Sequence, residues 1–262
     1  MRIDPKGSYF MPVSVPQRPI KAGVFKNVTL ITATYETSKD AIADLLPLPF
    51  EPTDDPVVSV YYGCCPKCNF LAGGGYNLIG VDLATHFNGK KDQLTGNYNV
   101  VLWEDNTNPV IRGRELLGIA KFVADVPDFK RRGNTWKGLA RDRGNLLLDV
   151  TVRRSVPHGR KDVEQINRAM KRDRWMGWKY VPNVNGKGAA ISHATLIGRQ
   201  FTVSRSWHGE GEATYGKLTH KQSPWHVDIV NALRKLKVKA YREGSVNVGT
   251  MTITRALNRV LK

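Results

Sequence analysis

The sequence predicts an α+β fold that is mainly antiparallel β-sheet, with helices at the edges. Three observations support this prediction. Short segments rich in β-branched and aromatic residues recur at close intervals along the chain. Few segments have helical periodicity, and Asn88-Gly89 forms a hairpin-type turn between two of the strand-like segments. Together they favour an antiparallel barrel or sandwich with helices around it.

The predicted strands follow from residue type and alternation. β-Branched and aromatic side chains suit a pleated, half-buried surface. Within the second strand a period of two places Val57, Ser59 and Tyr61 on one face. The strands are predicted at Val28–Tyr35, Val57–Tyr62, Tyr76–Thr85, Tyr98–Trp103, Leu146–Val152 and Phe201–Ser206.

Helices are predicted from capping residues and apolar spacing. The first begins at Thr37 or Ser38 and ends at Leu46, before Pro47. The second, 161–171, carries one apolar stripe on a charged segment. Two further helices are predicted at 228–236 and 253–261.

Length and composition suggest one domain with an N-terminal extension. The chain has 262 residues, of which 41% are hydrophobic, enough for a substantial core. We expect a proline-rich extended arm over residues 1–23 and a single domain over residues 24–262. No apolar run is long enough to cross a membrane, and the N-terminus lacks the apolar core of a signal peptide. We therefore expect a cytoplasmic protein without membrane partners.

The chain is strongly basic. Its formal net charge is +17, which would attract nucleic acid or anionic surfaces without sequence preference. The nucleic-acid-binding motifs with stacking aromatics, paired zinc fingers or a basic zipper are not found. Nucleic-acid binding therefore remains an alternative that is not favoured. The basic clusters lie at 130–132, 153–161, 171–174 and 235–242.

Three cysteines cluster in the segment Gly-Cys-Cys-Pro-Lys-Cys. Cys65 and Cys68 have the spacing of a zinc knuckle, with Cys64 beside them. A closed zinc site needs four ligands, and no second pair follows. A turn with reduced thiols is the preferred interpretation, and no metal site is predicted.

The segment 113–122, Gly-Arg-Glu-Leu-Leu-Gly-Ile-Ala-Lys-Phe, places Lys121 among apolar residues. Burial disfavours the ammonium form of a lysine, and the neutral amine can attack a carbonyl to form an imine. The alternative is a lysine at a strand edge, with its stem on apolar neighbours and its amine in water. These residues alone favour that alternative, because strongly perturbed lysines are rare.

This segment resembles the signature of the acetoacetate decarboxylase superfamily, in which Gly-Arg-Glu-Leu precedes the lysine that forms a Schiff base. The resemblance implies that family's β-barrel with peripheral helices, a Schiff base at Lys121, no organic cofactor or metal, and a homo-oligomer. Further matching segments follow in order from about Pro16 to the C-terminus: 46–50, 87–89, 108–109, 179–183 and 206–209.

The departures from the decarboxylase pattern concern its charged residues. Decarboxylases follow the reactive lysine with a second lysine, where this chain has Phe122. Tyr61 and Leu78 stand where decarboxylases have active-site glutamates, and an arginine near the first strand has no clear counterpart around 26–29. The pattern is more similar to the aldolase-dehydratase branch of the superfamily, which keeps the lysine and lacks these glutamates.

The resulting hypothesis is imine chemistry on an α-keto acid such as pyruvate, with an aldehyde as a second reactant. Lys121 forms the imine, and the derived enamine undergoes aldol addition, dehydration or both. Tyr61 acts as acid/base or positions the substrate. Two alternatives remain open: a β-keto acid decarboxylase, and a basic nucleic-acid-binding protein on a non-catalytic version of the fold.

The remaining site residues are predicted around that lysine. Glu115 and Arg114 orient water or bind the substrate carboxylate, or else brace the motif as an internal ion pair. Leu78 and Phe122 are predicted as walls of the substrate pocket. Trp207 either lines the pocket or fills the core.

Overall fold

One large, mostly antiparallel sheet dominates the fold. The structure is a computed structural model that describes residues 4, 6–12, 15–16 and 20–262. Within that part of the chain, 16 strands join the large sheet, and β1 pairs only with β2. The strands are β1 (Tyr9–Phe10), β2 (Val15–Pro16), β3 (Ala22–Glu36), β4 (Phe50–Pro52), β5 (Val57–Cys65), β6 (Lys67–Cys68), β7 (Tyr76–Asn88), β8 (Gln93–Glu104), β9 (Lys121–Val123), β10 (Lys130–Arg132), β11 (Thr135–Asp142), β12 (Asn145–Pro157), β13 (Trp175–Pro182), β14 (Ala189–Ile197), β15 (Arg199–Tyr215), β16 (Ala240–Tyr241), β17 (Glu243–Thr254) and β18 (Arg259–Val260).

Short helices connect the strands. Ser38 caps the first, where its hydroxyl accepts a hydrogen bond from the Ala41 amide. Asn106 caps the second in the same way, and that helix continues into a π-helical turn at Gly113–Leu117. The helices are α1 (Lys39–Ala43), α2 (Thr107–Arg112), α3 (Arg160–Met170) and α4 (Val227–Leu233), with 3₁₀ turns at Asn69–Leu71 and Arg255–Leu257.

The sheet is open. Its strand order is β10-β11-β12-β15-β17-β3-β5-β7-β8-β13-β14-β18, with β16 and β6 added beside β3, β4 beside β7 and β9 beside β8. β8 runs parallel to β13 and β9, whereas the other pairs are antiparallel. The expected mainly antiparallel fold is confirmed, and the expected barrel holds only loosely because the two edge strands do not meet.

The central strands present two different faces. Successive side chains on a strand point to opposite sides. On β5, Val58, Val60 and Tyr62 enter the largest hydrophobic core, together with Trp103 of β8. Ser59 and Tyr61, which the sequence placed on one face, line a cavity on the other side of the sheet.

The C-terminal segment differs from its sequence prediction, and the predicted N-terminal arm is described only in part. The helix predicted at 253–261 is wrong, because β17 continues to Thr254 and is followed by a 3₁₀ turn and β18. Residues 250–253, Thr-Met-Thr-Ile, alternate with a period of two and carry β-branched side chains, which favours a strand. The predicted arm over residues 1–23 lies partly outside the described residues, so the domain boundary stays a prediction.

Within the described residues, none of the helices combines the length and apolar character needed to cross a bilayer.

Candidate active site

A cavity of about 460 Å³ lies on the second face of the central strands. α3 contributes Ala169 and Met170 to its lining. Two groups of polar side chains open into it: the lysine cluster (Lys121 and Glu104) and the arginine cluster (Arg199, Asp82, Asp173 and Tyr61). The apolar lining consists mainly of Phe25, Val28, Leu30, Leu78, Leu102, Ile119, Phe201, Met251 and Ile253.

Strand register places Tyr61 and Lys121 in one row across the sheet. Tyr61 pairs with Gly80, Gly80 with Leu102, and Leu102 with Lys121. Three strand spacings separate the ends of this row, so their α-carbons are about 14 Å apart. A Cβ at Gly80 would lie 2.9 Å from the Tyr61 hydroxyl oxygen, so the phenol extends over Gly80 along the row.

Lys121 is buried at the start of β9 and is only 6% exposed. Its Nζ donates a hydrogen bond to the Pro109 carbonyl oxygen at 3.1 Å. The same nitrogen lies 2.7 Å from Oε1 of Glu104. The alternative of an amine held in water therefore does not describe this side chain.

The glycine of the Gly-Arg-Glu-Leu motif makes room for the lysine. A Cβ at Gly113 would lie 2.5 Å from both Cδ and Cε of Lys121. Arg114, which the sequence suggested as a substrate-binding residue, is exposed, and its Nη1 donates to the Lys121 carbonyl oxygen at 2.7 Å. This part of the motif holds the backbone and stem of Lys121 in place.

Glu104 is the residue that sequence reasoning missed. It is completely buried at the end of β8. Burial raises the pKa of this carboxyl group, and the nearby Lys121 ammonium opposes that rise. Glu104 lies directly opposite Leu78 on the neighbouring strand. A buried carboxyl group therefore lies beside position 78, on the neighbouring strand.

The register explains why Glu104 was not found from the sequence. If the pairing continued unchanged from the Asn88-Gly89 turn, Trp103 would lie opposite Leu78. A register shift between Val81 and Asp82 moves the pairing by one residue and brings Glu104 to that place. An irregularity of this kind leaves no clear signal in the sequence.

The arginine cluster was also missed, apart from Tyr61. Arg199 lies with Nη2 2.7 Å from Oδ2 of Asp173 and Nη1 3.9 Å from Oδ2 of Asp82. Its guanidinium carbon is 4.4 Å from the ring centroid of Trp175, a cation–π contact. An arginine therefore lines the cavity, although it comes from β15 and not from the first strand.

Tyr61 is joined to this cluster through Asp82. Its hydroxyl donates to Oδ1 of Asp82 at 3.1 Å, and Asn99 Nδ2 donates to the same oxygen at 2.9 Å. Burial raises the pKa of Tyr61 well above its usual value, so the phenol keeps its proton. Burial also raises the pKa of Asp82 to about 6, against the opposing effect of Arg199.

Phe122 and Trp207 lie outside the cavity, which corrects the assignment of Phe122 as a pocket wall and agrees with the core alternative for Trp207. Phe122 follows Lys121 on β9 and therefore points to the opposite face. It packs in the main core, with its ring centroid 5.0 Å from that of His226. Trp207 packs in the same core, 5.5 Å from the ring centroid of Trp136. Leu78 lines the cavity.

Glu115 also lies away from the cavity. It is half-buried in the π-helical turn, and its Oε2 accepts a hydrogen bond from the Met11 amide at 3.3 Å. The proposed internal ion pair with Arg114 is not formed in the described part of the chain; Arg114 instead braces the Lys121 backbone. These contacts favour a structural role for both residues over a catalytic one.

Possible metal ligands come together outside the cavity. Among the described residues, the one group of three close enough to share an ion is His158, His208 and Glu243, whose ligand atoms lie within 4.8 Å of one another. The two imidazole rings stack at 4.6 Å with an 18° angle between their planes. Parallel stacked rings cannot both hold one ion in their planes, so this geometry does not favour a metal centre. Cys64, Cys65 and Cys68 are free thiols.

Known proteins resemble this chain over most of its length. The model of the acetoacetate decarboxylase family matches residues 10–256. An acetoacetate decarboxylase of Clostridium botulinum is 25% identical over 215 residues, which cover 82% of each chain. One from Burkholderia ambifaria is 26% identical over 202 residues, covering 77% of this chain and 78% of the relative.

Solved structures agree in fold. An acetoacetate decarboxylase from Legionella pneumophila superimposes with a TM-score of 0.75 at 19% identity, covering 96% of this chain and 93% of the other. The enduracididine biosynthesis enzyme MppR, complexed with pyruvate, gives a TM-score of 0.68 at 14% identity and 97% coverage of both chains. At such low identity these likenesses establish the fold alone.

Proposed function

The chain belongs to the acetoacetate decarboxylase family, and from that premise we propose that Lys121 forms a Schiff base with a keto acid. The observation that carries this proposal is the buried Lys121–Glu104 pair on the wall of a cavity. A lysine paired with a carboxylate away from water is unusual for a purely structural residue, because removing both charges from water is costly. Buried carboxyl groups with a raised pKa, such as Glu104, are concentrated at functional sites.

Glu104 is suited to carry protons for imine formation. The raised pKa of its carboxyl group makes it a better proton acceptor than an ordinary glutamate. It takes a proton from the Lys121 ammonium, and the neutral amine attacks the ketone carbon. Glu104 returns this proton to the former ketone oxygen and then carries a second proton from the carbinolamine nitrogen to the same oxygen. The oxygen leaves as water, which produces the protonated imine and restores the Glu104 carboxylate.

For the later steps we propose aldol addition, dehydration or both, on an α-keto acid such as pyruvate. The protonated imine accepts the electron pair left when a proton departs from the neighbouring carbon, and the resulting enamine attacks an aldehyde. The Tyr61 hydroxyl donates its one proton to Asp82, so we assign it a positioning role in which its oxygen accepts a hydrogen bond from the bound reactant. A cavity of about 460 Å³ falls within the range that accommodates drug-sized ligands, which leaves room for a second reactant.

The names of two solved complexes are consistent with this chemistry. MppR has been solved with pyruvate and with the condensation product of pyruvate and imidazole 4-carboxaldehyde. Its similarity to this chain is in fold, so these complexes motivate the choice of test compounds.

Decarboxylation of a β-keto acid is the second candidate. The curated relatives are named acetoacetate decarboxylases. In addition, Glu104 restores a buried carboxylate opposite Leu78, where the sequence suggested that the acidic group was lost. Because Glu104 provides a buried carboxyl group there, the absence of a glutamate at position 78 does not by itself exclude decarboxylation.

Borohydride trapping tests the shared step. We expect pyruvate and borohydride to add one reduced adduct to the wild-type chain, measured by intact mass and located at Lys121 by peptide mapping. Lys121→Ala should abolish the adduct, whereas Lys67→Ala, at an exposed lysine, should leave it unchanged. An unmodified mass with pyruvate, acetoacetate and longer keto acids would remove the proposal's support.

Carbon dioxide release separates the two candidates. Acetoacetate should be converted slowly or not at all if aldol or dehydration chemistry predominates. Lysine-dependent release of carbon dioxide at an enzymatic rate would instead identify a decarboxylase.

A further inference from the structure

The arginine cluster contains one cation and two carboxyl groups. Arg199 binds Asp173 at 2.7 Å, and the other oxygen of Asp173 accepts a hydrogen bond from Asn97 Nδ2 at 3.0 Å. Both partners of this ion pair are therefore already engaged. Arg199 has little positive charge to offer an incoming carboxylate, because Asp82 lies on its other side.

Asp82 has one oxygen, Oδ2, that makes none of the hydrogen bonds of the described residues, although the Trp175 indole N–H lies near its carboxyl group. Its Oδ1 accepts hydrogen bonds from Tyr61 and Asn99. Its Oδ2 lies 3.9 Å from Arg199 Nη1, beyond hydrogen-bonding distance. Asp82 lines the cavity and is only 4% exposed, so a ligand in the cavity would meet this oxygen away from bulk water.

We propose that the arginine cluster is a specificity site that selects a hydrogen-bond-donating or cationic group on the part of the substrate remote from Lys121. The inference rests on the proposed function, which places the keto end of the substrate at Lys121. A hydroxyl, amine or similar donor satisfies Oδ2 of Asp82. A carboxylate there would meet two carboxyl groups that share the guanidinium of Arg199, since Arg172 and Arg174, which also line the cavity, are exposed.

The size and lining of the cavity define the rest of the substrate class. The row from Tyr61 to Lys121 spans four strands, so a reactant held at Lys121 must extend along this row to meet the arginine cluster. Leu102 lies within this row, and Leu78 lines the same cavity. We therefore assign a keto acid, or a keto acid together with an aldehyde, that has an apolar middle and a polar donor at its far end.

The test compares α-keto acids that differ only at the far end. Phenylpyruvate and its para-hydroxy, para-aminomethyl and para-carboxy derivatives share one rigid apolar body. At pH 8 Asp82, with a pKa of about 6, is ionised. The measurement is the concentration of each compound that gives half-maximal borohydride labelling of Lys121 in the whole chain.

We expect the hydroxy and aminomethyl compounds to reach half-maximal labelling at about tenfold lower concentration than phenylpyruvate, the effect of a hydrogen bond to a charged group. The carboxy compound should reach half-maximal labelling at a higher concentration than phenylpyruvate does. Asp82→Asn should reduce these differences, whereas Asp44→Asn, at an exposed aspartate after α1, should keep them.

The possible failures are distinguishable. Equal half-maximal concentrations, a preference for the carboxy compound, or labelling by pyruvate but by none of the four would overturn the specificity site. Absence of labelling by pyruvate as well would overturn the Schiff-base proposal itself. The comparison among the four compounds uses the wild-type chain, so it does not depend on how Asp82→Asn folds.

Discussion

At the scale of single residues, Gly113 and Lys121 depend on each other. Gly113 has helical dihedral angles, with φ of −68°, so alanine fits the backbone there and has the higher helix propensity. The added Cβ would nevertheless lie 2.5 Å from two carbons of the lysine stem. The glycine is therefore required by the lysine side chain, and its backbone conformation does not demand it.

Gly113→Ala should slow imine formation more than it lowers stability. The lysine must shift to avoid the methyl group, which changes the positions of its amine relative to Pro109 and Glu104. Since a displacement of about 1 Å can cost about a hundredfold in rate, we expect at least a tenfold slower appearance of the borohydride-trapped adduct. Gly23→Ala is the matched control, because a Cβ there has its nearest contact at 3.5 Å. Equal rates for wild type and Gly113→Ala would show that the close approach has no functional consequence.

Asp82 gives the stability of the chain a pH dependence of defined sign. Burial raises its pKa from 3.8 to about 6, so the folded state holds this proton more tightly than the unfolded state. The ionised group therefore destabilises the fold, an effect that is absent below about pH 4 and complete above about pH 6.

Asp82→Asn removes this titration. Relative to the variant, the wild type should lose about 3 kcal/mol of unfolding free energy between pH 4 and pH 6, since each unit of pKa shift corresponds to about 1.4 kcal/mol. Urea unfolding of both proteins across this range measures the difference. Parallel pH curves would mean that Asp82 titrates alike in the folded and unfolded states.

At the scale of elements, α3 is fastened to β15 by one side chain. Asn167 Nδ2 donates to the Val203 carbonyl oxygen at 2.9 Å, and its Oδ1 accepts from the Val203 amide at 2.8 Å. These bonds occur where the pairing of β15 with β17 changes register. Because α3 contributes Ala169 and Met170 to the cavity lining, Asn167 helps to fix one wall of the candidate site.

Asn167→Ala should destabilise the fold by about 2 kcal/mol, since it leaves the donor and acceptor of the buried Val203 without this partner. Gln165→Ala, at an exposed position of the same helix, should change stability by less than about 0.5 kcal/mol. Urea unfolding at neutral pH provides both values. A loss as small as that of the control would indicate that water replaces the side chain.

Alternation within strands accounts for much of what the sequence could predict. It placed Ser59 and Tyr61 on one face of β5, and both line the cavity. The same rule applied to β9 predicts that Phe122 and Lys121 point to opposite faces of the sheet. The residues that sequence reasoning could not reach depend on long-range pairing.

Glu104 comes opposite Leu78 through the register shift in β7 and β8. Arg199 and Asp82 meet although they are far apart in the chain, on β15 and β7. The local periodicity of the sequence contains no information about either of these long-range contacts. The Gly-Arg-Glu-Leu motif located the lysine, but the groups that set its environment come from other strands.

At the scale of the whole molecule, the candidate site accounts for only a small part of the large positive charge. The lysine cluster pairs one ammonium with one carboxyl group, and the arginine cluster holds more carboxyl groups than cations. Arg172 and Arg174 also line the cavity, and other basic residues that contribute to the net charge of +17 lie elsewhere, including those of the exposed strand β10. Nucleic-acid binding by such a surface remains a separate proposal, which a salt-dependent gel shift with Lys121→Ala would distinguish from catalysis.

Self-repulsion among these charges should lower the stability of the chain at low ionic strength. Raising the salt concentration from about 20 to about 300 mM shortens the Debye length and screens this repulsion, so the melting temperature should rise. Each kcal/mol of repulsion removed corresponds to about 2–4 °C for a chain of this size.

Reversing two exposed charges of β10, with Lys130→Glu and Arg132→Glu, should raise the melting temperature at low salt and reduce its dependence on salt. Thermal unfolding followed by circular dichroism measures both effects. A melting temperature that falls with added salt in both proteins would show that favourable ion pairs, such as that of Arg242 with Glu36, outweigh the repulsion.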